Sequence, residues 1–170
     1  MPNGSDPNIV VQSIMDLSLD GLPNFDVSVR SGEFAIRDAL EEVIAALGAF
    51  HLDLEQAGTV QIILAEVLNN ILKHAYPPIG PVGPIHIRCA RSQDGLLLDI
   101  KDNGRAMPDG KAPVGCPKPV DVAIVDLPEG GFGWFLIKDL THDVEYRRVG
   151  QENQLRLRIA FGATGRADPE

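Results

Sequence analysis

The sequence predicts an α+β protein, a sandwich of helices against an antiparallel or mixed sheet. Three observations carry that expectation. Segments that alternate polar and apolar residues, such as "NFDVSVR" and "LLLDIKD", stand apart from longer segments with helical spacing. These segments run in the order strand, two helices, hairpin, long loop, helix, hairpin, which is segregated rather than regularly alternating. The chain has 170 residues, 44% of them apolar, which suits one domain with a sizeable core.

Residues 1–23 open with the polar stretch "MPNGSDPN", which lacks the basic and apolar regions of a signal peptide. They read as an N-terminal segment, partly flexible, ahead of a domain spanning 24–161. "NFDVSVR" (24–30) alternates Phe25, Val27 and Val29 with polar neighbours and predicts a half-buried strand. Ser31 is a candidate N-cap for a helix that runs to about Gly48 through Phe34, Ile36, Leu40, Val43 and Leu47. A second helix starts near Asp53 or Leu54 and runs to about Tyr76, where "PPIGPVGP" ends it. "IHIRCAR" (85–91), the turn "SQDG" and "LLLDIKD" (96–102) form a hairpin. From Asn103 to Gly133 the periodicity dissolves among prolines and glycines; a loop that long inside a domain reads as a functional lid or a disordered segment. "WFLIKDL" (134–140) is a short helix. "DVEYRRV" and "QLRLRIAF" are two strands joined by "GQEN", and 162–170 reads as a flexible tail.

The net charge of −9 disfavours nucleic acid as a partner. No apolar run is long enough to span a bilayer. The two cysteines, Cys89 and Cys116, form no CxxC pair, so reduced thiols are expected rather than a zinc site or a disulfide framework.

The stretch "EVLNNILKHAY" (66–76) raises the functional question, because asparagine is a mediocre helix former. On a wheel at roughly 100° per residue, Glu66, Asn70, Lys73 and His74 form one polar stripe beside an apolar one. A solvated face is the plainest account of such a stripe. A solvated face, however, is more naturally built from Glu, Lys, Gln and Arg. Glu66 and Asn70 offer a carboxylate that can orient a hydroxyl and an amide oxygen suited to Mg²⁺.

"DIKDNGRAM" places Asp102 at a strand end before Asn-Gly. This is ordinary turn chemistry, or a carboxylate placed to accept from an exocyclic amine, with Gly104 letting a ligand ring approach. "EGGFGWFLIKDL" sets Gly130, Gly131 and Gly133 before a helix, either as a hinge or as an anion site of backbone N–H groups. It is neither a Walker loop nor a good dinucleotide fingerprint.

In order and spacing, these three stretches resemble the N-box and the two glycine boxes of the GHKL ATPase superfamily (gyrase, heat-shock chaperone, histidine kinase and MutL type). Within it they are most similar to bacterial anti-sigma-factor serine/threonine kinases. Glu66, Asn70, His74, Ala75 and Tyr76 match that group's E-x-x-x-N-x-x-x-H-A-Y stretch, and "GQENQLRLRI" resembles its closing G-x-x-N hairpin. The resemblance implies a Bergerat-type two-layer α/β sandwich, with helices on one face of a mixed, mostly antiparallel sheet. It implies Glu66 as general base and Asn70 as ligand of a phosphate-bridging Mg²⁺. Asp102 would accept from the adenine amine of ATP, and Gly104 and Met107 would line the base pocket. Gly131, Phe132 and Gly133 would give backbone N–H groups to the phosphates, Trp134 would also belong to the nucleotide site, and Lys73 and His74 would lie near the phosphates or ribose. Arg105 and Lys111 are candidates to meet the γ-phosphate. Met107 stands where an aromatic residue is common, and Gly-Phe-Gly-Trp replaces the usual second box.

The implied protein is a cytoplasmic bacterial kinase, a homodimer. It phosphorylates a STAS-type anti-anti-sigma protein and sequesters a sigma factor. An ATP-loaded switch with little or no phosphoryl transfer is the alternative, and a structural domain with coincidental boxes is a third.

Overall fold

The computed structural model describes residues 14–17, 23–30, 35–76, 83–92, 94–113 and 132–161; side chains are described from residue 40, Ala49 and Phe132 excepted. Six strands form one sheet: β1 (Ile14–Leu17), β2 (Pro23–Arg30), β3 (Pro84–Ser92), β4 (Gly95–Asp102), β5 (His142–Val149) and β6 (Glu152–Ala160). Their order is β1-β2-β3-β4-β6-β5. The helices are α1 (Ala35–Leu47), α2 (Leu54–Asn70) and α3 (Phe132–Leu140). Every pairing among the described residues is antiparallel. Of the two sheet types left open by the sequence, the antiparallel one is therefore found here.

Alternation fixes which face is covered. Ile85, Ile87 and Cys89 on β3, Leu96, Leu98 and Ile100 on β4, and Leu155, Leu157 and Ile159 on β6 are all buried. Their sequence neighbours point the other way, because side chains alternate across a pleated strand. The buried set joins Val43 and Leu47 of α1, Ile63, Leu64 and Leu68 of α2, and Ile137 of α3 in one core. The helices thus cover one face, with α2 packed against both α1 and α3. The opposite face carries charged pairs such as Arg156 with Asp99 at 3.2 Å. Exposed pairs of this kind add little stability, so the covered face holds the fold together.

Local signals explain where α2 begins. Asp53 Oδ1 accepts from Gln56 N at 2.8 Å, and Gln56 Oε1 accepts from Asp53 N at 3.2 Å, a reciprocal capping box. The end of α2 departs from the expected regular helix. After Asn70 the chain continues as a π-helical turn, Ile71–Ala75, closed by Tyr76 N donating to Ile71 O at 3.2 Å. The wheel drawn at α-helical pitch therefore does not hold for Lys73 and His74, which lie within this wider turn. Strand β1 is a second difference. It lies inside the segment read as partly flexible and pairs Ile14–Leu17 against Pro23–Asp26 of β2, extending the sheet by one strand. Its residues, Ile-Met-Asp-Leu, are few and do not alternate. Ser31 and the tail after residue 161 lie outside the described residues, as do Cys116 and most of the expected lid.

Candidate nucleotide site

The end of α2, the loop after β4 and the start of α3 meet at one end of the sandwich. Asn70 answers the question raised by its place in the helix. Its Nδ2 donates to Glu66 O at 2.8 Å, four residues back. This local bond uses the donor side of the amide and leaves Oδ1 as an outward acceptor. Both Glu66 and Asn70 are half-buried. A Cβ built on Gly133 would overlap Glu66 Oε2 and lie 3.4 Å from Asn70 Nδ2. The first turn of α3 therefore seats directly against the pair, and a side chain at Gly133 would push the Glu66 carboxylate from its place. The N-terminus of a helix carries a partial positive charge, so the start of α3 gives this end of the site a positive potential.

Asp102 ends β4 on the covered face and is 6% exposed. Its Oδ1 accepts from Gly104 N and from Asn153 Nδ2, each at 2.8 Å. No described residue bonds Oδ2, which is left as an acceptor. Burial pushes the carboxyl above its ordinary range, while the Asn153 and Gly104 hydrogen bonds and the Arg148 guanidinium oppose that rise.

The loop after Asp102 is tied down on both sides. Toward α2, Arg105 N donates to Ala75 O at 2.8 Å, and Asn103 N donates to Tyr76 Oη at 3.1 Å. Tyr76 Oη in turn donates to Pro84 O at 3.2 Å. Burial, with the Asp102 charge adding to it, raises the Tyr76 phenol, so it stays a neutral hydroxyl able to do both. Toward the last hairpin, Asn153 Nδ2 also faces Arg105 O at 3.0 Å, and Arg148 Nη1 donates to Gly104 O at 3.0 Å. Met107 N donates to Tyr146 Oη at 3.0 Å.

The expected site residues divide accordingly. Glu66, Asn70 and Gly133 come together; Asp102, Gly104 and Met107 share the neighbouring loop. The structure gives Gly104 a reason of its own. A Cβ there would lie 2.5 Å from Ala75 Cβ and 2.6 Å from Ala75 O, so glycine admits the end of the preceding helix, a reason separate from the approach of a ligand ring. Lys73 and His74 follow the π turn and are exposed, as are Arg105 and Lys111. Trp134 is 6% exposed and packs in the core, so its indole does not line an open site. Gly131 lies outside the described residues, and Phe132 is described only as the first residue of α3. Tyr146, Arg148 and Asn153 were not among the expected site residues. The G-x-x-N pattern held the one available signal, for Asn153, without its partner Asp102.

Among the described residues no three His, Cys, Asp or Glu side chains cluster as a metal site. Asn70 would suit Mg²⁺ nonetheless, since its amide oxygen is a hard ligand not used by the bond to Glu66 O, and this ion commonly takes few protein ligands.

The chain matches the histidine kinase-like ATPase domain family over residues 32–159. It is 35% identical over 118 residues to the serine-protein kinase RsbW of Staphylococcus aureus strain JH9, covering 68% of this chain and 72% of that protein. The same figures hold for the RsbW of strain NCTC 8325 / PS 47. Among solved structures, it is similar to the histidine kinase domain of the Erythrobacter litoralis EL346 blue-light activated histidine kinase. The TM-score is 0.47 at 19% identity, over 74% of this chain and 60% of that one.

Proposed function

Because the chain belongs to the histidine kinase-like ATPase domain family, we propose that it is a Mg²⁺-ATP-dependent serine/threonine protein kinase of the anti-sigma-factor type. Its substrate is a STAS-type anti-anti-sigma protein, its second partner is a sigma factor, and it works as a homodimer in a bacterial cytoplasm. The similarity to proteins named serine-protein kinase supports the reaction class. The observation that carries the reading is the Glu66–Asn70 pair, set one turn apart on α2 and facing the first turn of α3.

Each group then has a task. Asp102 Oδ2 accepts from the exocyclic amine of adenine. Asn70 Oδ1 is the protein ligand for Mg²⁺, which when bound neutralises phosphate charge. The N–H groups at the start of α3 receive the phosphate oxygens. Glu66 orients the acceptor hydroxyl and takes its proton as that oxygen bonds to the γ-phosphorus. The bond from the γ-phosphorus to the bridging oxygen breaks, and ADP leaves.

The test is incubation with γ-labelled ATP, Mg²⁺ and a STAS protein encoded beside the gene. Wild type labels the STAS protein. Glu66→Ala keeps ATP affinity within a few-fold and lowers transfer by ~10² or more. Asn70→Ala weakens Mg²⁺-dependent binding itself. Transfer at the wild-type rate by Glu66→Ala overturns the mechanism. Binding of ATP and of the STAS protein without labelling replaces it with a non-phosphorylating switch.

A further inference from the structure

We propose that Tyr146 and Arg148 on β5, outside the three sequence boxes, set a preference for adenine over 6-oxopurine nucleotides by locking the Asn153 amide against Asp102. The inference rests on the reading above that Asp102 accepts from the exocyclic amine of the base.

Asn153 is 4% exposed and stands opposite Asp102 in the β4–β6 register. An amide has a donor end and an acceptor end, and turning it over exchanges the two. Here its neighbours fix which way it lies. Arg148 Nη1, which can only donate, sits 2.6 Å from Asn153 Oδ1. The carbonyl oxygens of Arg105 and Gly104, which can only accept, face Nδ2 at 3.0 Å and 3.4 Å. Tyr146 Oη accepts from Met107 N at 3.0 Å, so its own proton is free to donate to Asn153 Oδ1 at 2.7 Å. With both donors in place, the end that meets Asp102 Oδ1 is an N–H, at 2.8 Å.

That direction has chemical content. An N–H stabilises the ionised carboxylate, which is acceptor-only and suits an exocyclic amine. A turned amide would set oxygen against oxygen and favour a protonated Asp102. Protonated Asp102 carries a donor, which suits the carbonyl of a 6-oxopurine instead. Among the described residues, the charged or titratable groups bearing on Asp102 are Arg148 on β5, Glu152 on β6 and Tyr76 after α2. Tyr146→Phe changes none of these charges and deletes one donor of the lock, so it separates the lock from the Arg148 field.

The experiment measures the affinity of full-length wild type, Tyr146→Phe, Arg148→Ala and Arg148→Lys for ADP and for inosine diphosphate across pH. Melting temperature is followed in parallel. The expected result is that the ADP-to-IDP affinity ratio drops by about tenfold in Arg148→Ala and by less in Tyr146→Phe, while Arg148→Lys stays near wild type. In the first two variants the acid loss of ADP binding also moves to higher pH. If both nucleotides weaken equally, or if the ratio and the acid limb stay unchanged in a folded Tyr146→Phe protein, the inference is overturned. Absence of ADP binding by wild type overturns the proposed function and the inference with it.

Discussion

At Asp102, burial and hydrogen bonding pull in opposite directions, and burial is the larger effect. The folded-state pKa therefore lies above that of the unfolded chain. For a carboxylate raised in this way, protonation favours the fold. Its contribution to stability is fully present below the unfolded pKa and is lost as pH rises through the folded one. On the proposed role of Asp102, nucleotide binding needs the ionised form and runs the other way. We expect ADP affinity to fall on acidification while pH is still above the ordinary carboxylate range, over which protonation of this group makes the fold more stable, not less. Calorimetric titrations across pH beside unfolding curves check that the two trends oppose one another. Asp102→Asn should weaken ADP binding throughout and abolish that pH dependence. The chemistry at single positions was partly legible from residue types alone. Asn70 could be picked out because its type is unusual for where it stands; Glu66 and Asp102 are ordinary in place and stood out only through the resemblance of the three stretches taken together. Tyr146 and Arg148 did not stand out, since a tyrosine and an arginine on an alternating strand are ordinary, and only the register brings them to Asn153.

The segment running from α2 through the π turn gives a second lesson. Its existence and its capped start could be read from spacing and from Asp53, but the π turn could not. A single wide turn leaves no periodic trace, and what accompanies it is tertiary: Ala75 O receives Arg105 N, and Ala75 itself lies against Gly104. Gly104→Ala should therefore act as a wedge between two elements. Overpacking of this kind costs roughly 1–3 kcal/mol, measurable by denaturant unfolding. It should also lower ADP affinity, because the loop it displaces carries Asp102. A loss of affinity with unchanged stability would instead place the alanine methyl against the ligand, as first expected from the sequence. Strand β1 was missed for a simpler reason: its residues, Ile-Met-Asp-Leu, are few and do not alternate, so no strand period shows.

For the molecule as a whole, the site joins three parts of the chain that no local pattern connects, since Asp102 and Asn153 are 51 residues apart. A ligand selective for the folded state should then stabilise the whole domain. At a free concentration of 100 times Kd the gain is about 2.7 kcal/mol, which for a chain of this size is a Tm rise on the order of 5–10 °C. ADP or ATP with Mg²⁺ should give that shift in a thermal melt, and its absence at saturating nucleotide would remove the nucleotide reading. The strand order also bears on synthesis. Although β6 is made after β5, it is the strand that adds to β4, and β5 reaches the sheet only through it. Until Ala160 has left the ribosome, β4 keeps an open edge beside buried-type residues Leu96, Leu98 and Ile100. Such an edge is a template for pairing with another chain. The emerging protein thus passes through an interval in which that edge stands open and the proposed nucleotide site is unfinished, because the partner of Asp102 has not yet arrived.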